Sequence, residues 1–401
     1  MMKKRILITS FDLAIGGVER SLIGLLSQID YTKYDVDLML FKHEGEFLSF
    51  LPTGPKLLPE LPSYTTFRMP ITQIAKEGHY PIALSRVMAR FIGSFHGKIK
   101  NITEPGYLVI QYGWEMANPY LPKLNKEYDV AIGFLWPHHF IAEKVKAKKR
   151  IGWIHTDYSN IQLNRKLETK MWDKLDNIVA VSEECSNTFI NLYPDQKQKT
   201  MVIENILSPA FIRKQADDHQ PEEIVKTPGK TILLTVGRFS HAKGLDQAIK
   251  ACKELVNAGY DVEWYVVGYG PLEAELRELI NQLDLSNRFF LIGKKTNPYP
   301  YIKACDIYVQ PSRYEGKAVT IREAQILGKP VVITNFPTAR SQATDGVDAL
   351  ITTQDVTGIA KGIERLINDD DLRKMLESNV LSKDYGNEDE IEKLYNLIGE
   401  R

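Results

Sequence analysis

Cysteine is scarce in this 401-residue sequence: Cys185, Cys252 and Cys305 are the only three. Scattered, odd in number and never at metal-ligand spacing, they exclude a disulfide framework and a cysteine-based zinc site, and they fit a reducing compartment. Long apolar runs are missing too, since none approaches the roughly 18 residues that a membrane span requires. The basic-then-apolar opening MMKKRILITS reaches Ser10 and Asp12 after only a few apolar residues, so it reads as a first β-strand and not as a signal peptide. Net charge is absent as well, with 51 Lys+Arg against 51 Asp+Glu. The balance is uneven along the chain: residues 1–206 hold 26 basic against 22 acidic side chains, leaving 25 against 29 for the rest. So weak an asymmetry fits a membrane surface better than nucleic acid.

What is present is the composition of a water-soluble globular protein, 43% hydrophobic and 25% charged, at a length that suggests two domains. Strand-like and helix-like runs alternate. Residues 5–10 read as a strand, Gly16-Gly17 opens a helix, residues 36–41 form the next strand and residues 44–51 a short helix. Residues 52–80 carry five prolines and read as irregular. Residues 82–102 then place Ile82, Leu84, Val87, Met88, Phe91, Ile92, Phe95 and Ile99 at helical spacing, with Arg86, Arg90, Lys98 and Lys100 and no acid. Two readings are open: a basic amphipathic helix on an anionic membrane, or a core-facing helix with a solvated basic face. A second basic cluster, Lys144 to Arg150, precedes a strand.

Residues 129–134, 150–154, 176–181 and 200–204 read as further strands, the second ending at His155. Residues 207–230 turn polar and read as a linker or mobile connection. Strand-helix alternation restarts at residue 231 and runs to about residue 380, and the helix 388–398 has enough apolar residues to pack back on the first half. The expected fold class is therefore α/β, two doubly wound Rossmann-like domains facing each other across a cleft: 1–206 with 388–401, and 207–387.

Chemistry gathers after the strands of the second half, as the switch-point rule for open α/β sheets predicts. Gly237-Arg238 follows one strand, with Lys243-Gly244 close behind; Gly293-Lys294 follows another. The segment PSRYEGKAVTIREA at 311–324 leads from a strand through a glycine-bearing turn into a helix start suited to an anionic oxygen, with Glu315 and Glu323 about two turns apart. Taken alone, Glu315 is equally a helix-start acid, Glu323 a solvated partner of Arg322 or Lys329, and Arg238 and Lys243 two loop cations.

Together, GGVER at 16–20, IHTD at 154–157, VSE at 181–183, GR…KG at 237–244, VVGYGP at 266–271 and PSRYEG…EA resemble a retaining glycosyltransferase of family 4, of GT-B fold, in the bacterial branch that builds capsule, lipopolysaccharide or exopolysaccharide. The resemblance implies a hexosyl transfer from a nucleotide-sugar, with UDP-sugar the expected donor, to a lipid-linked or oligosaccharide acceptor. It implies an N-terminal acceptor domain and a C-terminal donor domain, no metal and no cofactor, a cytoplasmic location at the inner face of the membrane, and no nucleic-acid partner. Arg238 and Lys243 would hold the donor diphosphate. Glu315 would contact the transferred sugar, Glu323 the ribose, and His155 would orient the reacting sugar. The backbone of Lys317, Ala318 and Val319 would meet the phosphates or the sugar. Gly17, Gly237 and Gly316 would allow close approach, and Gly293 and Lys294 would border the base. Retention would follow front-face internal return, with Glu315 a binding group and not a nucleophile. Asp35/Asp37 and Asp369 to Asp371 have Asp-x-Asp spacing, but the first pair opens a strand and the second lies in a helical stretch. One departure from the family pattern is Lys317-Ala318, where relatives carry an aromatic residue and glycine, which alters the expected sugar pocket. A nucleotide-sugar 2-epimerase and a non-catalytic nucleotide-sugar-binding subunit are the competing functions.

Overall fold

The computed structural model describes residues 3–14, 16–100, 102, 105–156, 158, 161–315 and 317–399. They form two compact units, residues 1–206 with 388–401, and residues 207–387. Each is built on a parallel sheet whose strands are apolar at least through their carboxyl-terminal halves, as expected where helices cover both faces.

The first sheet has seven strands: β1 (Lys4–Ser10), β2 (Tyr34–Leu40), β3 (Lys56–Leu57), β4 (Leu124–Gly133), β5 (Val145–Ile154), β6 (Asn177–Ala180) and β7 (Thr200–Val202). Their spatial order is β3-β2-β1-β4-β5-β6-β7, so the winding reverses between β1 and β4. The second has six: β8 (Thr231–Val236), β9 (Val262–Val267), β10 (Phe289–Leu291), β11 (Ile307–Gln310), β12 (Val331–Thr334) and β13 (Leu350–Thr352). Its order, β10-β9-β8-β11-β12-β13, reverses between β8 and β11. Ligand crevices form outside the carboxyl ends of strands at such reversals.

Several expected boundaries move. β5 begins at Val145, so the basic cluster lies within the strand and not ahead of it. Lys146, Lys148 and Lys149 occupy its polar first half, with Lys148 paired to Asp129 at 2.8 Å and Lys149 donating to the Leu397 carbonyl at 2.7 Å. Residues 44–51 hold a 3₁₀ turn, Glu46–Phe50, in place of a helix. Residues 52–80 are less irregular than the prolines suggest, with short helices at Pro62–Thr65 and Ile71–Lys76. Nor are residues 207–230 only a connection. They contain the helix Pro209–Ala216, capped by Ser208, whose Ile212 and Ala216 are buried in the second unit's core. Asp37 is buried and accepts from Tyr128 at 2.6 Å and Lys126 at 2.8 Å, which gives that acid a structural partner set.

The helix Glu390–Ile398 packs into the first unit. Ile391, Leu394 and Ile398 join its core, and Tyr395 stacks on Tyr34 at 5.1 Å between centroids and donates to the Gln28 carbonyl at 3.3 Å.

The helix Tyr80–Ile99 is built the opposite way from a core helix. Its buried face carries small residues at fourfold spacing, Ser85, Ala89, Gly93 and Gly97, while Leu84, Phe91, Phe95 and Ile99 are each more than 60% exposed. The small residues bring the backbone against the helix Gly106–Ala117. A Cβ on Gly93 would lie 2.8 Å from Val109 Cγ2, and one on Gly97 2.8 Å from Pro105 Cβ. Of the apolar stripe only Ile82, at the helix start, reaches the core; Leu84, Val87, Met88, Phe91, Ile92, Phe95 and Ile99 face outward, against the core-facing reading. Replacement of Gly93 by valine should force the two helices apart and lower unfolding free energy by about 1–3 kcal/mol, read from urea denaturation midpoints.

Candidate active site

The loops after β8 and β11 meet at the reversal point of the second sheet, and their sequences fit each other by backbone contact. Gly244, at φ +63, leaves no room for a side chain: a Cβ there would lie 2.1 Å from the Pro311 carbonyl oxygen. Arg313 donates from its backbone to the Ala242 carbonyl at 2.8 Å and forks onto Asp246 at 2.7 and 2.6 Å. This locks the first loop to the second.

At the centre lies Glu315, 7% exposed. Its carboxylate accepts from Lys243 Nζ at 2.5 and 2.7 Å, from Ser312 Oγ at 2.6 Å and from Gln310 Nε2 at 3.0 Å. Gln310 is aimed in turn by Tyr308, whose hydroxyl donates to Gln310 Oε1 at 2.8 Å, and Thr338 donates to the Glu315 backbone carbonyl at 2.8 Å. The Lys243 stem packs over Gly237, whose Cβ would stand 3.5 Å from Lys243 Cδ. Beside them Arg238 is exposed, and among the described residues no carboxylate pairs with it.

The helix Val319–Ile326 starts without a side-chain cap of its own, but one expected anion donor is engaged: Ala318 N–H donates to Gln342 Oε1 at 2.7 Å. Val319 N–H donates to the Lys317 carbonyl at 3.1 Å. Glu323 is fully buried, which excludes its reading as a solvated partner of Arg322 or Lys329, and its Oε1 accepts from the Tyr299 hydroxyl at 3.0 Å. Arg322 instead lies over the Tyr385 ring, and Lys329 donates to the Cys305 carbonyl at 2.8 Å. Gly293, at φ +76, has open space where a Cβ would stand, and Lys294 lies 5.4 Å from the Tyr269 ring centroid. Gly316 lies outside the described residues, as does Asp157 of the IHTD segment.

Gly17 and His155 belong to the first unit. Gly17 opens the helix Gly17–Gln28, where a Cβ would meet nothing within 4 Å. His155 follows β5 with its ring 4.6 Å from that of Phe134, and its Nε2 is enclosed with no hydrogen-bond partner among the described residues. Burial pushes its pKa down to about 3, against a weaker opposing hydrogen bond to the Phe134 backbone, so the ring is neutral at pH 7. His138, 2% exposed, is held down to about 3 by burial, then by His139 and His155 nearby.

The groups that aim Glu315 were not singled out from sequence. Gln310 and Ser312 are the ones with a readable sign: an amide ending an apolar strand, and a hydroxyl three residues before an acid. Thr338 carries none, and neither do Gln342 and Tyr299, the partners of Ala318 and Glu323.

Residues 216–382 match a family described as Glycosyl transferases group 1. The capsular polysaccharide biosynthesis glycosyltransferase CapM of Staphylococcus aureus is 29% identical over 215 residues, 50% of this chain and 55% of CapM. A Campylobacter jejuni enzyme, N-acetylgalactosamine-N,N'-diacetylbacillosaminyl-diphospho-undecaprenol 4-alpha-N-acetylgalactosaminyltransferase, is 25% identical over 217 residues, 54% of this chain and 57% of that protein. The chain spans about half the length of the curated relatives it matches. Among solved structures, Anabaena Alr3699/HepE in complex with UDP and glucose superposes with a TM-score of 0.65 at 17% identity, over 100% of both chains. WaaG, a glycosyltransferase involved in lipopolysaccharide biosynthesis, does so with 0.60 at 13% identity, over 99% of this chain and 100% of WaaG.

Two stability predictions follow from the site. Lys243→Met leaves the buried Glu315 carboxylate without its cation and should cost about 1–3 kcal/mol, whereas Glu315→Gln with Lys243→Met should recover part of that loss; urea midpoints at pH 7 decide it. Below about pH 6.5 an unfolded His138 takes up a proton that the folded chain refuses, so stability falls as pH falls. Between pH 7 and pH 5 this residue should account for about 2 kcal/mol, and His138→Gln should flatten the dependence of unfolding free energy on pH by that amount.

With its two parallel-sheet units and these structural neighbours, the chain has the GT-B fold, and the match to the glycosyl transferases group 1 description falls within its second unit, at residues 216–382.

Proposed function

We propose that this chain is a retaining glycosyltransferase that moves a hexose from a nucleotide-sugar, a UDP-sugar in the first instance, to a lipid-linked or oligosaccharide acceptor in bacterial surface polysaccharide synthesis. The observation that carries the reading is the pairing of Lys243 with a buried, fully hydrogen-bonded Glu315 beside the exposed Arg238, at the reversal point of the sheet. Leaving-group departure of a nucleoside diphosphate needs positive charge already in position, and Arg238 and Lys243 supply it without a metal or a cofactor. Glu315, aimed by its partners, accepts hydrogen bonds from sugar hydroxyls. Glu323 receives the ribose hydroxyls when the Tyr299 hydroxyl yields its place, and Gln342 yields the Ala318 N–H to a phosphate oxygen in the same way. Lys317 and Val319 continue that donor row. Gly237, Gly293 and Lys294 border the nucleotide.

In the step itself the bond from the anomeric carbon to the diphosphate oxygen breaks as the bond to the acceptor oxygen forms on the same face. The acceptor proton passes to the departing diphosphate oxygen. No protein nucleophile is used; configuration is retained because the acceptor enters on the face that the diphosphate leaves.

The outward stripe of the Tyr80–Ile99 helix, with exposed Arg90, Lys98 and Lys100 at its margins, supports a peripheral position at the inner face of the plasma membrane. No helix among the described residues is long and apolar enough to cross one.

Calorimetric titration with UDP should give dissociation constants raised about tenfold or more by Arg238→Ala and by Lys243→Ala; unchanged affinity in both would refute the site. Incubation with UDP-sugar and acceptor should give an α-configured product insensitive to chelator. An epimerised nucleotide-sugar formed without acceptor would move the chain to the epimerase reading instead. The protein should sediment with vesicles containing phosphatidylglycerol at low salt, and Phe91→Asp with Phe95→Asp should leave it in the supernatant.

A further inference from the structure

The first unit has a cavity that nothing above assigns. About 250 Å³ in volume, it opens outside the carboxyl ends of β1, β4 and β5, where the first sheet also reverses its winding. Its floor is aromatic: Phe67 stacks flat on Trp114 at 3.9 Å, and Phe11 meets Trp114 edge-on at 6.1 Å. One wall is fixed from behind by the buried Glu168, which accepts from Trp136 Nε1 at 2.8 Å and from Gln111 Nε2 at 2.9 Å.

Two guanidinium groups line this otherwise apolar space, and they differ. Arg68 is paired with Asp12 at 2.8 Å. Arg86 is not: its Nη1 donates to the Thr66 carbonyl at 3.1 Å, and among the described residues no carboxylate neutralises it. Gly113 keeps the space beside it clear, since a Cβ there would already touch Arg86 Cδ at 3.5 Å. An uncompensated, half-buried guanidinium over aromatic rings suits a phosphate oxygen anion, which it can bind through paired N–H donors. The way out of the cavity is apolar as well. Val109 lines it and packs on Gly93, and Tyr107 and Ile110 at its rim are 40% and 46% exposed.

We propose that this cavity binds an isoprenoid phosphate, the phosphate on Arg86 and the first isoprene units on Phe67 and Trp114, with the remaining chain leaving over the exposed Tyr107 and Ile110. This rests on the transferase reading and narrows its acceptor to a lipid phosphate; the same head-group chemistry in a free anion is separated by the test.

Binding of farnesyl phosphate to the full chain, below its critical micelle concentration, is followed by tryptophan fluorescence, with farnesol and inorganic phosphate as parallel arms. Farnesyl phosphate should bind at least tenfold more tightly than either. Arg86→Gln should weaken it tenfold or more while leaving UDP affinity unchanged, and Ile110→Asp, at an exposed position that does not endanger folding, should weaken it as well. Inorganic phosphate binding as tightly would mean an anion site alone. Farnesol binding as tightly, or farnesyl phosphate affinity unmoved in both variants, would likewise overturn the assignment. Sugar transfer to an isoprenoid-phosphate-linked acceptor at full rate in Arg86→Gln would refute this proposal while the transferase reading stood. Loss of UDP binding in the parent chain with farnesyl phosphate binding intact would do the reverse.

Discussion

The second unit depends on the carboxylate of Glu315. A charge at 7% exposure is tolerable only where its lone pairs are occupied, and here lysine, serine and glutamine all donate to it. Those donors come from the loop after β8, the end of β11 and the turn beyond it, and Thr338 from the loop after β12 holds the same residue by its backbone. Three loops that share no sequence neighbourhood are thus given one geometry. Because the donors are aimed before any ligand arrives, little reorganisation is left for the moment of reaction, which is what an electrostatic site requires.

The alternation of strands and helices was legible because doubly covered parallel strands are short apolar runs, and both sheets follow it. Where the reading failed, local signals pointed away from tertiary facts. Lys146 to Lys149 read as a cluster ahead of a strand, yet the first half of β5 is polar and still pairs with β4. The helix Pro209–Ala216 was hidden in a polar segment because few of its residues, Phe211, Ile212 and Ala216, pack on the core. At the site, Lys243 and Glu315 stood out by residue type and turn context, whereas Gln342 and Tyr299 reach their partners from 24 residues away, a relation no local pattern encodes.

The Tyr80–Ile99 helix shows the same limit in another form. Periodicity reports that a helix has two faces but not which face the protein keeps. Here the deciding feature is the run Ser85, Ala89, Gly93 and Gly97, whose lack of bulk permits backbone contact with the Gly106–Ala117 helix and leaves the large side chains on the far side. A core helix would reverse that allocation. Reading the small residues as the packing surface turns an ambiguous amphipathic pattern into a directional one.

The return of the Glu390–Ile398 helix to the first unit has a consequence for synthesis. During translation residues 1–206 leave the ribosome with Tyr34 unstacked and the site of Ile391, Leu394 and Ile398 uncovered, and they stay so until all of the second unit has followed. The nascent first unit is therefore an incomplete core with a standing apolar scar, a natural substrate for chaperones, while the second unit, contiguous in sequence, can close on itself as it emerges.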